Sequence, residues 1–161
     1  MKLTFRILPC TLPTFLLLTE SLAKWNSAAK KRALEHVATL LANNTHDLRQ
    51  HSVFNRLISR EKLGSTALGN GVAIPHGRTN EGNLSHPIGA FIQLKTPVDF
   101  NAVDSQPVSL IYALLVPEES TDDHLQILAQ LAEMFSNSQL CDDLRGCQDN
   151  LQLYQILSTW E

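Results

Sequence analysis

Leu68-Gly69-Asn70-Gly71-Val72-Ala73-Ile74-Pro75-His76-Gly77-Arg78 is the stretch around which the rest of the chain is organised. Val72-Ala73-Ile74 is a short apolar run between turn residues, the pattern of a buried strand. Pro75 has no N–H for a ladder and fixes φ near −65°, so the strand is expected to stop there. His76 then stands just past a strand end and before a glycine, an imidazole presented at the rim of a sheet on a rigid support. Gly69-Asn70-Gly71 opens like a dinucleotide fingerprint, but Ile74 occupies the place of the third glycine and no helix plainly follows. Gly64-Ser65-Thr66 lacks the earlier spaced glycine and the lysine of a phosphate loop.

Outward from this stretch the periodicities alternate between helix and strand. Ser27 is placed to cap a helix over 28–41 with Leu34, Val37, Ala38 and Leu41 on one face, ended by Asn43-Asn44. A second helix is expected from about His46 to Lys62, burying Val53, Phe54, Leu57 and Ile58 and stopped by Gly64. Arg60 falls in its last turn, where the helix dipole favours a cation; on position alone it reads as a solvated charge. Ile88, Ala90, Ile92 and Leu94 alternate as in a strand. Val108 to Val116 is nearly all apolar, as in a central strand covered on both faces, and Pro117 closes it. Ser120 or Thr121 would cap a helix to about Ser136, with Leu125, Leu128, Leu131, Ala132 and Phe135 facing the core. Shorter helices are expected at 138–145, stopped by Gly146, and at 150–160. The fold class is therefore α/β: one domain, a mixed β-sheet with helices on both faces.

Composition narrows the function. At 161 residues and 43% apolar the chain holds one domain with a substantial core. A net charge of −3 provides no basic field for nucleic acid. Cys10, Cys141 and Cys147 are an odd set without metal-type spacing, which fits a reducing compartment better than a disulfide framework. The N-terminus imitates a secretory signal: basic up to Arg6, largely apolar from Ile7 to Leu18, then Ser21-Leu22-Ala23. Pro9 and Pro13 break the apolar run, and it is too short for a membrane span. Residues 1–26 are read as an N-terminal extension packed on a domain of residues 27–161.

The motif Arg60-Glu61-Lys62-Leu63-Gly64-Ser65-Thr66 followed by Gly69-Asn70-Gly71-Val72-Ala73-Ile74-Pro75-His76-Gly77 resembles the IIA proteins of the bacterial phosphoenolpyruvate-dependent phosphotransferase system. The subgroup it is most similar to is the mannitol/fructose type, and within it the free-standing nitrogen-related form. The similarity runs on through Phe91-Ile92-Gln93-Leu94, Ala113-Leu114-Leu115-Val116-Pro117 and Asp123-His124-Leu125, from about Lys30 to Trp160. The resemblance implies that His76 accepts the phosphoryl group, that His124 is a second active-site histidine and that Arg60 is the active-site arginine. Ala67-Leu68 and Arg78-Thr79 depart from the usual pattern, and none of these touches those three positions.

The chemistry is consistent with that assignment. A neutral imidazole with an ordinary pKa of about 6.5 offers a free lone pair at cytoplasmic pH. His124, in a first helical turn, sits where free backbone N–H groups suit an anion. The helix dipole disfavours its imidazolium, whereas Asp122 and Asp123 favour it. Ser65, Asn70 and the backbone near Gly71 are additional phosphate-binding candidates. His36, His46, His51 and His86 are assigned no chemistry. The family requires no nucleotide, metal or other cofactor at this subunit. A metal site from His76, His124 and a carboxylate is the rival reading, but the ligands lack close motif spacing. A protein-binding module that has lost phosphorylation is the other rival.

The resemblance further implies a cytoplasmic phosphocarrier charged by a small histidine phosphocarrier protein, without nucleic-acid binding or membrane insertion. With no attached IIB domain in the sequence, regulatory binding is expected, with potassium-transport or sensor-kinase components as suggested targets. Sugar-specific transfer to a IIB domain is the alternative.

Overall fold

The computed structural model describes residues 14–18, 27–43, 45, 47–119 and 121–160. Its strands are β1 (Thr14–Leu18), β2 (Ala67–Gly69), β3 (Val72–Ala73), β4 (His76–Thr79), β5 (Ile88–Val98) and β6 (Val108–Pro117). Its helices are α1 (Ser27–Asn43), α2 (Gln50–Lys62), α3 (Thr121–Ser136), α4 (Ser138–Gly146) and α5 (Asn150–Thr159).

β6 is the axis, as its unbroken apolar sequence requires. Val108 to Val116 are all buried, and from Leu110 onward alternate side chains enter opposite cores. Ile111, Ala113 and Leu115 join α1, α2, Ala90 and Ile92. Leu110, Tyr112, Leu114 and Val116 join α3, α4, α5 and Phe91. Each large apolar side chain taken fully out of water on either face contributes about 1.5–3 kcal/mol. The sheet order is β1-β5-β6-β3-β2, with β4 also on β6. β5 is antiparallel to β6, whereas β3 and β4 run parallel to it, so the sheet is mixed with helices on both faces, as expected.

β3 and β4 are one strand interrupted at Pro75. Val72 and Ala73 pair with Leu110 and Ile111, and His76 to Thr79 pair with Leu114 to Pro117. Pro75 cannot donate, yet its carbonyl accepts from Leu114 N–H at 2.9 Å, so the ladder passes through it. His76 is therefore the first residue of a strand rather than a residue beyond the last one. The turn before β3 is a hairpin: Asn70 and Gly71 both take left-handed φ, 53° and 73°, as an Asn-Gly turn between antiparallel strands demands.

Other departures have local causes. α2 begins at Gln50, later than the patterning suggested, because Asp47 has a φ of 69° that no α-helix accommodates. Val53 and Leu57 are buried in it, and Phe54 and Ile58 are half-buried against the same core. In α3, Leu131 and Phe135 face inward as expected, but Leu125 is 65% exposed, because the buried position next to it is taken by His124. Asn44, His46, Ser120, and the side chains of Ser27, Thr121, Asp122 and Asp123, on which capping and charge expectations fell, lie outside the described residues. β1, within the stretch read as an extension, pairs parallel with β5 from Thr14↔Ala90 to Leu18↔Leu94.

Candidate functional site

Two helices, one from each layer, converge on the start of β4. α2 brings Arg56 and Arg60 on one helical face, β4 brings His76 and Arg78 two residues apart on one side of a strand, and α3 brings His124. Together with Ser59, Leu63 and Gly77 they line a cleft of about 400 Å³. Gly77 is what lets α2 approach: a Cβ there would lie 3.1 Å from the Arg56 Cβ.

Both nitrogens of His76 are engaged, and the partners define the tautomer. Nδ1 lies 2.8 Å from the Ile74 carbonyl, which can only accept, so Nδ1 carries the proton. Nε2 then presents its lone pair, and Arg60 Nε donates to it at 3.1 Å. Arg60 is itself steadied by a 2.9 Å bond from Nη1 to the Gly64 carbonyl. Burial holds the His76 pKa below its ordinary value, and the Arg60 guanidinium adds to this, against the opposing pull of the Ile74 carbonyl and the Glu61 carboxylate. The ring is neutral at neutral pH.

His124 is only 6% exposed, with its ring centroid 5.4 Å from that of His76 and tilted by 54°. Its Nδ1 is buried with no hydrogen-bond partner among the described residues. Burial first, then His76, Arg78 and Arg60, lower its pKa. The site thus holds two neutral imidazoles beside three guanidiniums, a cationic, partly dehydrated cleft suited to a phosphoryl-sized dianion.

The structure brings His76, His124 and Arg60 together in one cleft. Ser65, Asn70 and Gly71 do not line the cleft. Ser65 Oγ donates to the Phe100 carbonyl at 2.5 Å and accepts from Ala67 N–H at 3.1 Å. Asn70 N–H donates to Asp104 Oδ2 at 2.8 Å, its carbonyl accepts from Arg145 Nη2, and the Gly71 carbonyl accepts from Ser109 and Leu110. In register these two residues lie at the start of β6, while His76 sits beside Leu114. His51 bonds Asn55 at 3.2 Å on the exposed side of α2, and His36 and His86 are not among the cleft residues. Sequence reasoning missed Arg56 and left Arg78 without a role. The available signal was Arg56 and Arg60 at i, i+4, a like-charge pair that costs stability unless something uses it. Among the described residues no three His, Cys, Asp or Glu side chains gather as a metal site, and no helix is long and apolar enough to cross a membrane.

This fold, with a histidine on an interrupted strand facing an arginine and a second histidine, defines a IIA-type phosphotransferase domain. The chain belongs to the family "Phosphoenolpyruvate-dependent sugar phosphotransferase system, EIIA 2", whose model matches residues 17–160. Within it the chain is similar to the nitrogen regulatory protein of Escherichia coli K12, 44% identical over 133 residues, covering 83% of this chain and 80% of that one. The crystal structure of the nitrogen regulatory protein IIA-Ntr from Neisseria meningitidis superposes with a TM-score of 0.73 at 44% identity, covering 80% of this chain and 86% of that one. The Escherichia coli IIA mannitol structure shares the fold, with a TM-score of 0.68 at 18% identity over 88% of this chain and 94% of that one.

Proposed function

We propose that the protein is a phosphohistidine carrier that takes a phosphoryl group on His76 Nε2 from a small histidine phosphocarrier protein and uses its phosphorylation state to select regulatory partners. One observation carries this reading: Nδ1 is tied to the Ile74 carbonyl while Nε2 faces Arg60 in a cationic cleft. The Nε2 lone pair attacks phosphorus as the donor's P–N bond breaks, and the new Nε2–P bond forms. The proton stays on Nδ1, so the ring's positive charge is held against the Ile74 carbonyl. Arg60 exchanges the lone pair for a phosphoryl oxygen, and His124 offers a ring N–H to another. Positioning and charge stabilisation are the main demands of such a transfer. The functional domain is taken as residues 27–161, with residues 1–26 as an extension that supplies β1, and the site of action as the cytoplasm.

The new phosphoryl group brings about −1.5 to −2 charges to a cleft that the exposed Leu63 helps to line. Partners that dock on the uncharged state are repelled from the charged one. Similarity to nitrogen regulatory proteins favours this output, with potassium-transport or sensor-kinase components as candidate targets. The family's sugar-transport members supply the second reading, onward transfer to a IIB domain. Incubation with phosphoenolpyruvate, the general phosphotransferase enzyme and its small carrier should load acid-labile phosphate on the protein. Absence of loading would reduce it to a binding module, and rapid loss of the phosphate to a sugar-specific IIB domain would assign it to transport.

A further inference from the structure

Glu61 lies next to Arg60 on α2, yet its carboxylate points away from the cleft and is buried, with 3% of the side chain exposed. Oε1 pairs with Lys30 Nζ of α1 at 2.5 Å, and Lys30 also donates to the Phe100 carbonyl at 3.2 Å. Oε2 accepts from both Thr66 N–H, at 3.0 Å, and Thr66 Oγ1, at 2.5 Å. A buried carboxylate held by an ammonium and two further donors is costly to assemble and gives little net stability over apolar packing, so its use lies elsewhere.

The bonds that follow lead back to His76. The Thr66 carbonyl accepts from Ile74 N–H at 3.0 Å, and the Ile74 carbonyl accepts from His76 Nδ1 at 2.8 Å. His76 Nε2 accepts from Arg60 Nε, and Arg60 is covalently joined to Glu61. The circuit is closed. Both partners of the His76 ring are therefore spaced from one carboxylate, Arg60 through the α2 backbone and Ile74 through Thr66. We infer that Glu61, anchored by Lys30, is a positioning residue that fixes the tautomer and orientation of His76 for attack by Nε2. It does so without touching the ring, by fixing how far the end of α2 stands from the β3–β4 strand. This inference rests on His76 being the acceptor.

The test uses Glu61→Gln, which keeps the shape but not the charge, and Thr66→Val, which keeps the ion pair and the backbone donor but removes the hydroxyl bond. Ring ¹⁵N shifts of His76 are read in the full chain without any phosphoryl donor, followed by the rate of phosphoryl acceptance from the small carrier. The wild type should show one dominant Nδ1–H tautomer. Glu61→Gln should give a tautomer mixture and acceptance slowed by roughly tenfold or more, the effect typical of losing a group that orients a functional histidine; Thr66→Val should move both readouts the same way by less. If Glu61→Gln does not fold, Thr66→Val decides. Unchanged ring shifts in whichever variant folds, or altered shifts with unchanged acceptance, overturn the positioning role. A wild type that accepts no phosphoryl group overturns the function instead, and the ring spectrum still reports on the circuit.

Discussion

The two histidines of the cleft differ in how the fold holds them. His76, on a strand, has both ring nitrogens bonded, one to a carbonyl and one to a guanidinium. His124, in the first turn of a helix, has a buried Nδ1 with no partner among the described residues. A ring bonded at both nitrogens has one tautomer and one lone pair in a known direction, the requirement for a nucleophile. A ring without that tether can turn its N–H toward whatever charge arrives, the requirement for a stabilising donor. Burial lowers both pKa values, and under the proposed function the two environments divide the labour.

Removing each ring in turn tests the division most strongly. His76→Ala should abolish incorporation of acid-labile phosphate while circular dichroism shows the fold intact; incorporation at the normal level would end the assignment. His124→Ala should only slow transfer, by roughly 10–1000-fold if one charge-assisted contact is worth about 1.5–4 kcal/mol. Arg60→Ala should behave likewise, and rates unchanged in both directions would remove the two residues from the mechanism.

A smaller effect is expected from pH. Both histidines have folded pKa values below the unfolded value of about 6.5, so below that pH the unfolded chain binds more protons than the folded one. The stability they contribute is complete above about pH 6.5 and is lost as pH falls from there through the folded pKa values. Denaturant unfolding of the wild type should show this loss, and His76→Gln/His124→Gln should flatten it. A double variant as pH-dependent as the wild type in that window would contradict the burial account. The same shift should keep His76 a competent acceptor somewhat below pH 6.5, visible as a displaced acidic limb in the rate profile.

The smallest effect on transfer is expected at the other end of β3. Gly71→Ala places a methyl group 2.8 Å from Arg145 Nη2 at a φ of 73°, so stability should fall by about 1–2 kcal/mol. Phosphoryl acceptance by the folded fraction should stay within about twofold, since Gly71 does not line the cleft. A large loss of rate would return the Gly69–Gly71 turn to the phosphate site.

What was legible in the sequence follows the same contrast. The β6 run and the Leu34-Val37-Ala38-Leu41 stripe declare their burial locally, because one strand or one helix face carries the whole signal. The cleft does not, since it joins the end of α2, the start of β4 and the first turn of α3. From its own surroundings Arg60 is only a helix-terminal charge; the family motif, not periodicity, drew attention to it. Leu125 was expected in the core because a leucine at that spacing usually is, but its neighbour His124 takes the inward position. Asn70 and the backbone near Gly71 were candidates for holding phosphate; the structure has them in a hairpin turn away from the cleft. Pairing partners such as Glu61 with Thr66 and Lys30 leave no periodic trace at all.

The most direct test of the account is to locate the phosphoryl group. After charging the ¹⁵N-histidine-labelled protein with phosphoenolpyruvate, the general enzyme and its carrier, nitrogen–phosphorus couplings identify the bonded atom. The account predicts phosphorus on Nε2 of His76, with the proton kept on Nδ1 against the Ile74 carbonyl. Phosphorus on Nδ1 of His76, or on either nitrogen of His124, would contradict it.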